Sequence, residues 1–170
     1  IGDPTSEKTQ VGPLISDKQR RRVMDFIDQG KASGASLVVG GEVPQNIDKG
    51  FFIKPTIFAG VSSNSVIAQE EIFGPVLSVL VAEDFDQALD LANRVEFGLS
   101  SSIFTQDISR AFQFLDKTEV GLTHVNMMTA YREPQLSFGG VKSSGHGIPE
   151  SGKTGIEFFT EHKVAFINYA

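Results

Sequence analysis

The chain has 170 residues, 40% of them hydrophobic and 21% charged, with a formal net charge of −6. That is enough polypeptide for a domain with its own core, and the acidic balance excludes a surface built to neutralise nucleic-acid phosphates, which needs clustered Lys and Arg. No apolar run approaches the roughly 20 residues that span a bilayer and no signal peptide is visible, so a cytoplasmic setting is expected; zero cysteines exclude disulfides, thiolate-bound zinc and any thiol nucleophile within this chain.

In chain order, the polar opening from Ile1 reads as a start in mid-protein. Ser16 is placed to N-cap a helix whose buried stripe is Val23, Phe26 and Ile27, ending at Gly30 or Gly34. Arg20, Arg21 and Arg22 lie within that pattern beside Asp17, Asp25 and Asp28, and read as a solvated face rather than a basic patch. Ser36 to Val39 reads as a short strand closed by Gly40 and Gly41. Phe51 to Phe58 is a second strand region, bent at Pro55. The apolar run Val76 to Val81 predicts a strand covered on both faces.

Asp84 is placed to cap a helix with the stripe Ala88, Leu89, Ala92 and Val95, stopped at Gly98. Leu99 to Phe104 is a strand. A helix from about Asp107 turns Ala111, Phe112 and Leu115 inward, and Leu122 to Val125 is again a strand. Alternation of this kind implies parallel pairing, hence an α/β class with a layered domain, a mostly parallel sheet and flanking helices. From Met127 to Ser151 the periodicity vanishes into a Gly-, Ser- and Pro-rich stretch too long for a plain connector. A short helix over 152–161 and a strand, Lys163 to Tyr169, finish the chain. The expected division is a catalytic domain over 1–161 and an oligomerisation strand over 162–170, although pairing of that strand within its own sheet is an equal alternative.

Gly147-Ile-Pro-Glu-Ser-Gly152-Lys153-Thr154 fits the spacing of a phosphate-cradling loop. That loop needs a buried strand before it, and the preceding Lys142 to Gly147 are polar, so a nucleotide triphosphatase is the weakest reading. Gln69-Glu70-Glu71-Ile72-Phe73-Gly74-Pro75 places two carboxylates before an apolar run. It is either a solvated turn or an acceptor for ligand hydroxyls beside a rigid aromatic. His124 lies in a strand and reads as a core histidine, His146 lies in the glycine-rich loop, and His162 follows Glu161 at a helix end. No metal-ligand spacing emerges, so no metal is expected.

Four blocks in this order and spacing resemble the aldehyde dehydrogenase superfamily. They are Val11-Gly-Pro-Leu-Ile-Ser16, Gly50-Phe-Phe-Ile-Lys-Pro-Thr56, Gln69-Glu-Glu-Ile-Phe-Gly-Pro-Val76 and Ser137-Phe-Gly-Gly-Val-Lys-Ser-Ser-Gly145, with Gly155-Ile-Glu-Phe-Phe-Thr160 continuing the match. The resemblance implies the C-terminal part of a catalytic region that oxidises an aldehyde to a carboxylic acid with NAD or NADP. In that family a cysteine thiolate attacks the aldehyde to give a thiohemiacetal, which delivers hydride to the nicotinamide, and a glutamate-activated water hydrolyses the resulting thioester.

The resemblance places both groups upstream, so no catalytic residue is expected here and the isolated chain is expected to be inactive. It assigns Glu71 to the nicotinamide ribose and Phe73 to the nicotinamide, Phe138 to the substrate tunnel, and the loop over 127–136, with Tyr131 and Arg132, to the tunnel mouth. Arg132 suggests an aldehyde bearing a carboxylate, against the plainer reading of a solvated loop arginine. The implied partners are the remainder of its own chain and further copies in a dimer or tetramer, with no nucleic acid and no membrane. A non-catalytic α/β binding or assembly module is the alternative from another class. Two departures stand out: Ser137 where the family usually has Pro, and Gly147-Ile148-Pro149-Glu150 where it commonly has Gly-Arg-Glu.

Overall fold

The computed structural model describes residues 1–47 and 49–169. The chain forms two compact units, Ile1–Leu91 and a second from Ala92 onward. Among the described residues no helix is long and apolar enough to cross a membrane.

The first unit is built on α1 (Asp17–Ala32), where the Ser16 hydroxyl accepts from the Gln19 N–H at 3.2 Å and satisfies an orphan donor of the first turn. The expected stripe is the buried one: Val23, Phe26 and Ile27. The helix runs two residues past Gly30 and is followed by Gly34 at φ +85°. Strands β1 (Ser36–Val39), β2 (Thr56–Ala59) and β3 (Val76–Val79) form one sheet. β1 runs antiparallel to β2, and β2 runs parallel to β3. The crossover between β2 and β3 contains α2 (Val66–Gln69). Val23, Phe26 and Ile27 pack with Ile53, Phe58, Val61, Ile67 and Ile72 into the core of this unit.

Two expectations need correction here. The strand read over Phe51 to Phe58 begins only after Pro55, and Phe51 makes an isolated bridge with Leu14. The imide nitrogen of Pro55 has no proton to give a ladder, so pairing starts at the next residue. The run Val76 to Val81 is not covered on both faces by this chain, because Leu77 is 56% exposed. Register pairs Thr56 with Val76 and Phe58 with Ser78, and these four face the core. The alternate residues Leu77 and Val79 turn the other way.

Helix α3 (Phe85–Asn93) runs across the boundary of the units; the Asp84 carboxylate accepts from the Gln87 N–H at 2.8 Å. Beyond it come β4 (Phe97–Gly98), β5 (Ser100–Ile103), α4 (Ile108–Lys117), β6 (Leu122–Val125), β7 (Val141–Lys142) and α5 (Gly152–Phe158). β5 and β6 pair in parallel across the α4 crossover, and β4 pairs antiparallel with β7. The α/β class is as expected, with parallel pairs at β2–β3 and β5–β6 and antiparallel pairs at β1–β2 and β4–β7.

Asp107 caps α4 through hydrogen bonds from the Ser109 and Arg110 N–H groups at 2.9 and 3.2 Å. The inward face of α4 is Ala111 and Phe114, three residues apart on one side of the helix. Phe112, expected inward, is 65% exposed, and Leu115 is exposed as well. The segment from Lys163 to Tyr169 forms no strand with any described residue and is exposed throughout; Ala170, the last residue of the expected oligomerisation segment 162–170, lies outside the described residues.

Candidate functional site

The first candidate patch is the turn between α2 and β3. Three carbonyls of this turn are held from α1. Gln19 Nε2 donates to Ile72 O at 3.2 Å and to Phe73 O at 3.0 Å, and Arg22 donates to Glu71 O at 2.9 Å. Gly74 lies against the same helix: a methyl group there would meet Val23 Cγ2 at 2.6 Å, inside van der Waals contact. Ile72 is buried between, as the apolar pin.

Clamped in this way, the turn puts its two candidate side chains outward. Glu71 is exposed, and the Phe73 ring is 69% exposed on a backbone at φ +58°. That left-handed conformation costs a non-glycine residue roughly 1–2 kcal/mol. It persists because the surroundings over-determine it, a pattern that clusters at ligand clamps. A carboxylate and an apolar face held side by side suit a group with a diol and a planar ring, such as a nicotinamide riboside. Neither Gln19 nor Arg22 stood out in the sequence, where Arg22 reads as part of a solvated face. Their targets are carbonyls 49 to 54 positions away, and no spacing rule links them.

The second patch belongs to the unit beyond Ala92. A groove of about 310 Å³ is lined by His124, Met127, Tyr131, Arg132, Leu136 and Phe138, among others. The three residues assigned to the substrate tunnel therefore meet in one groove. The Arg132 guanidinium lies over the Phe138 ring, 3.9 Å from its centroid, and no ion pair to a described residue engages it. Tyr131 donates its phenol proton to the Glu133 carboxylate, and Gln135 donates to the other carboxylate oxygen at 3.3 Å. That bond to Glu133 raises the Tyr131 pKa, with the repulsion between two anions adding to it. The acid beside Arg132 is thus already occupied.

Phe138 is positioned by backbone. It exchanges two hydrogen bonds with Glu150, at 2.6 and 2.8 Å. On the other side Gly121 approaches so closely that a Cβ would come within 1.7 Å of Gly139 O. This approach requires a glycine at 121, while Gly139 and Gly140 are hemmed in separately, since a Cβ there would meet Pro149 Cα at 3.0 Å and Ser144 O at 2.5 Å. The departures fit locally. Ser137 Oγ lies 2.8 Å from Thr154 Oγ1, tying the chain before Phe138 to α5, and the Ile148–Pro149 segment leads into the Glu150 bridge.

The same contacts bear on the phosphate-loop pattern: Thr154 Oγ1 also donates to Ser151 O at 2.9 Å, and β7 before the loop is only two residues long. Lys142 is a structural cation. It donates to Asn93 O at 2.6 Å at the end of α3 and pairs with Glu119 at 2.6 Å.

Residues 1–165 match the model of the aldehyde dehydrogenase family. The chain is 45% identical over 170 residues to a betaine aldehyde dehydrogenase of Rhizobium leguminosarum bv. trifolii, covering 98% of this chain and 34% of that protein. It is 41% identical over 169 residues to an alpha-ketoglutaric semialdehyde dehydrogenase of Bacillus subtilis, covering 98% of this chain and 35% of that one. Among solved structures, the Mycobacterium tuberculosis aldehyde dehydrogenase complexed with NAD+ superposes with a TM-score of 0.89 at 41% identity. That match covers 94% of this chain and 32% of the other. The chain spans about a third of the length of the curated relatives it matches. It belongs to the aldehyde dehydrogenase family.

Proposed function

We propose that this chain is the C-terminal third of an oxidoreductase that oxidises an aldehyde to its carboxylic acid, with NAD or NADP accepting the hydride and water supplying the second oxygen. The nucleophilic cysteine and the base come from the remainder of the polypeptide, since this chain contains no cysteine. The observation that carries the reading is the clamped turn: an exposed carboxylate and an exposed, strained phenylalanine on a backbone that α1 holds still. A bound nicotinamide supplies hydride-accepting chemistry; this chain contributes binding and orientation. Glu71 accepts from the ribose hydroxyls, and Phe73 packs beside the ring. The NAD+ complex of the Mycobacterium tuberculosis neighbour supports NAD as the first choice to test.

The groove around Phe138 is the aldehyde-facing part of the chain in this proposal, and Arg132 gives it a preference for aldehydes bearing a carboxylate. Its guanidinium is charged, has no carboxylate partner among the described residues and already rests on an aromatic face. The exposed apolar residues Val164, Phe166, Ile167 and Tyr169 support pairing of 163–169 with another copy in a dimer or tetramer.

The test is a cofactor titration of the full-length protein. Glu71→Ala should raise the KM for NAD about tenfold, the size expected for hydrogen bonds to a charged acceptor, and leave the aldehyde KM alone. An unchanged cofactor KM would remove the assignment of this turn. The isolated chain should show no turnover with any aldehyde.

A further inference from the structure

Residues 127–131 have no regular secondary structure, yet their carbonyls are not left to water. Every second one meets a side chain from the β5–β6 sheet. Ser102 Oγ donates to Met127 O at 2.6 Å, Ser100 Oγ donates to Thr129 O at 2.9 Å, and His124 Nε2 lies 3.1 Å from Tyr131 O. The parallel register pairs Ser102 with His124 and Ser100 with Leu122, so these side chains share one face of the sheet. The three contacts form a comb that holds an irregular segment, itself turned by the Tyr131 N–H donating to Met128 O at 3.2 Å, at every second carbonyl.

His124 is the tooth nearest the groove. Its other ring nitrogen, Nδ1, lies 3.1 Å from Ser101 O and 3.4 Å from Ser100 Oγ. The imidazole is buried and joins β5, β6 and the loop through one rigid ring. Ser100 has a single hydroxyl proton. It goes to Thr129 O, and the Tyr131 carbonyl, which can only accept, takes its hydrogen bond from an N–H on Nε2. The Tyr131 carbonyl belongs to the same planar peptide unit as the Arg132 N–H. Fixing that carbonyl therefore fixes the plane from which the Arg132 side chain departs toward Phe138.

We infer that His124 is a positioning residue. Through the Tyr131 carbonyl, with Ser100 and Ser102 holding the two preceding steps, it sets Arg132 against Phe138 and so shapes the aldehyde-facing groove. The inference rests on the proposed role of that groove. It gives His124 a task beyond filling the core: the loop's backbone is fastened from beneath.

Two variants of the full-length protein separate the ring's two contacts. Glutamine reaches about as far as Nε2, whereas asparagine reaches only the Nδ1 position. His124→Asn should therefore lose the Tyr131 contact and His124→Gln should restore it. In hydrogen exchange without substrate, the Tyr131 amide, which donates to Met128 O at 3.2 Å, should exchange faster in His124→Asn and return toward wild type in His124→Gln. The KM for aldehyde should rise about three- to tenfold in the asparagine variant, the loss of one net hydrogen bond, while kcat changes little. Should His124→Asn fail to fold, the double variant Ser100→Ala/Ser102→Ala reads the same loop from its other two teeth and should show the same pattern.

Unchanged loop exchange in these variants would overturn the inference whatever the kinetics. Faster exchange with an unchanged KM for both acidic and neutral aldehydes would show a fastened loop that no aldehyde meets, ending both the positioning role and the reading of the groove. A rise in KM that glutamine does not rescue would also count against it, because that is the mark of a merely damaged core.

Discussion

Arg132 carries its guanidinium 3.9 Å from the centroid of the Phe138 ring, six positions along the chain, across a groove that both residues line. Because the neighbouring Glu133 is taken by Tyr131 and Gln135, the positive charge faces the groove without an internal counter-ion. Arg132→Ala in the full-length enzyme should raise the KM for carboxylate-bearing aldehydes about tenfold or more, the loss of a charge-assisted contact, and change neutral aldehydes far less. Arg132→Lys should recover only part of this, since lysine keeps the charge and loses the flat stacked fork. Steady-state kinetics with one acidic and one neutral aldehyde of similar length would decide it; equal losses on both would end the carboxylate reading.

Phe73 sets stability against binding. Its φ of +58° is expensive for phenylalanine and free for glycine, while its ring buries little surface within this chain. Phe73→Gly should leave the protein as stable as before or up to about 1 kcal/mol more stable, the left-handed cost being partly offset by the greater freedom of glycine when unfolded. The same change should weaken cofactor binding. Denaturant unfolding and a cofactor titration on the same sample check both halves; a clear loss of stability would mean that the ring is packed rather than presented.

Gly121 supports Phe138 from below. With a Cβ placed 1.7 Å from Gly139 O, Gly121→Ala forces two backbone segments apart. A cost of about 1–3 kcal/mol is expected, as for other overpacked sites, together with a raised aldehyde KM because Phe138 moves with Gly139. Gly34→Ala is the contrasting case. Nothing lies within 4 Å of that position, so any cost there comes from its φ of +85° alone and leaves the KM unchanged.

Tyr131 should titrate late. Its neutral phenol donates to Glu133, and ionisation would set two negative oxygens against each other, so its pKa lies above the ordinary tyrosine value. The sign follows: this contact is present at neutral pH and is lost as pH rises through the raised pKa. Glu133→Gln removes the anion and should move the Tyr131 step to lower pH, as read from phenolate absorbance. A titration curve unaltered by that substitution would mean that the two groups do not meet.

Much of the local structure was legible because its causes are local. Ser16, Asp84 and Asp107 have short polar side chains next to apolar stripes, and each caps its helix through a neighbouring backbone N–H. The stripe Val23, Phe26 and Ile27 follows from helical spacing alone, and β1 and β6 have the limits their residues imply. The reading erred where a choice depended on what lies across the gap. Phe112 and Phe114 are equally apolar, and only the packing of α4 turns Phe114 inward. The run after Pro75 is apolar on both faces, yet this chain covers only one of them.

The site divides in the same way. The family resemblance singled out Glu71, Phe73, Tyr131, Arg132 and Phe138, because the motifs that carry it are written in adjacent positions. Tertiary structure alone decided what holds them: Gln19 and Arg22 gripping carbonyls some fifty residues away, Gly121 against Gly139, and His124 beneath Tyr131. Each of these joins a side chain or a bare Cα to a main-chain atom. A main-chain carbonyl looks the same in every residue, so a sequence gives no mark of which carbonyl a distant donor will find.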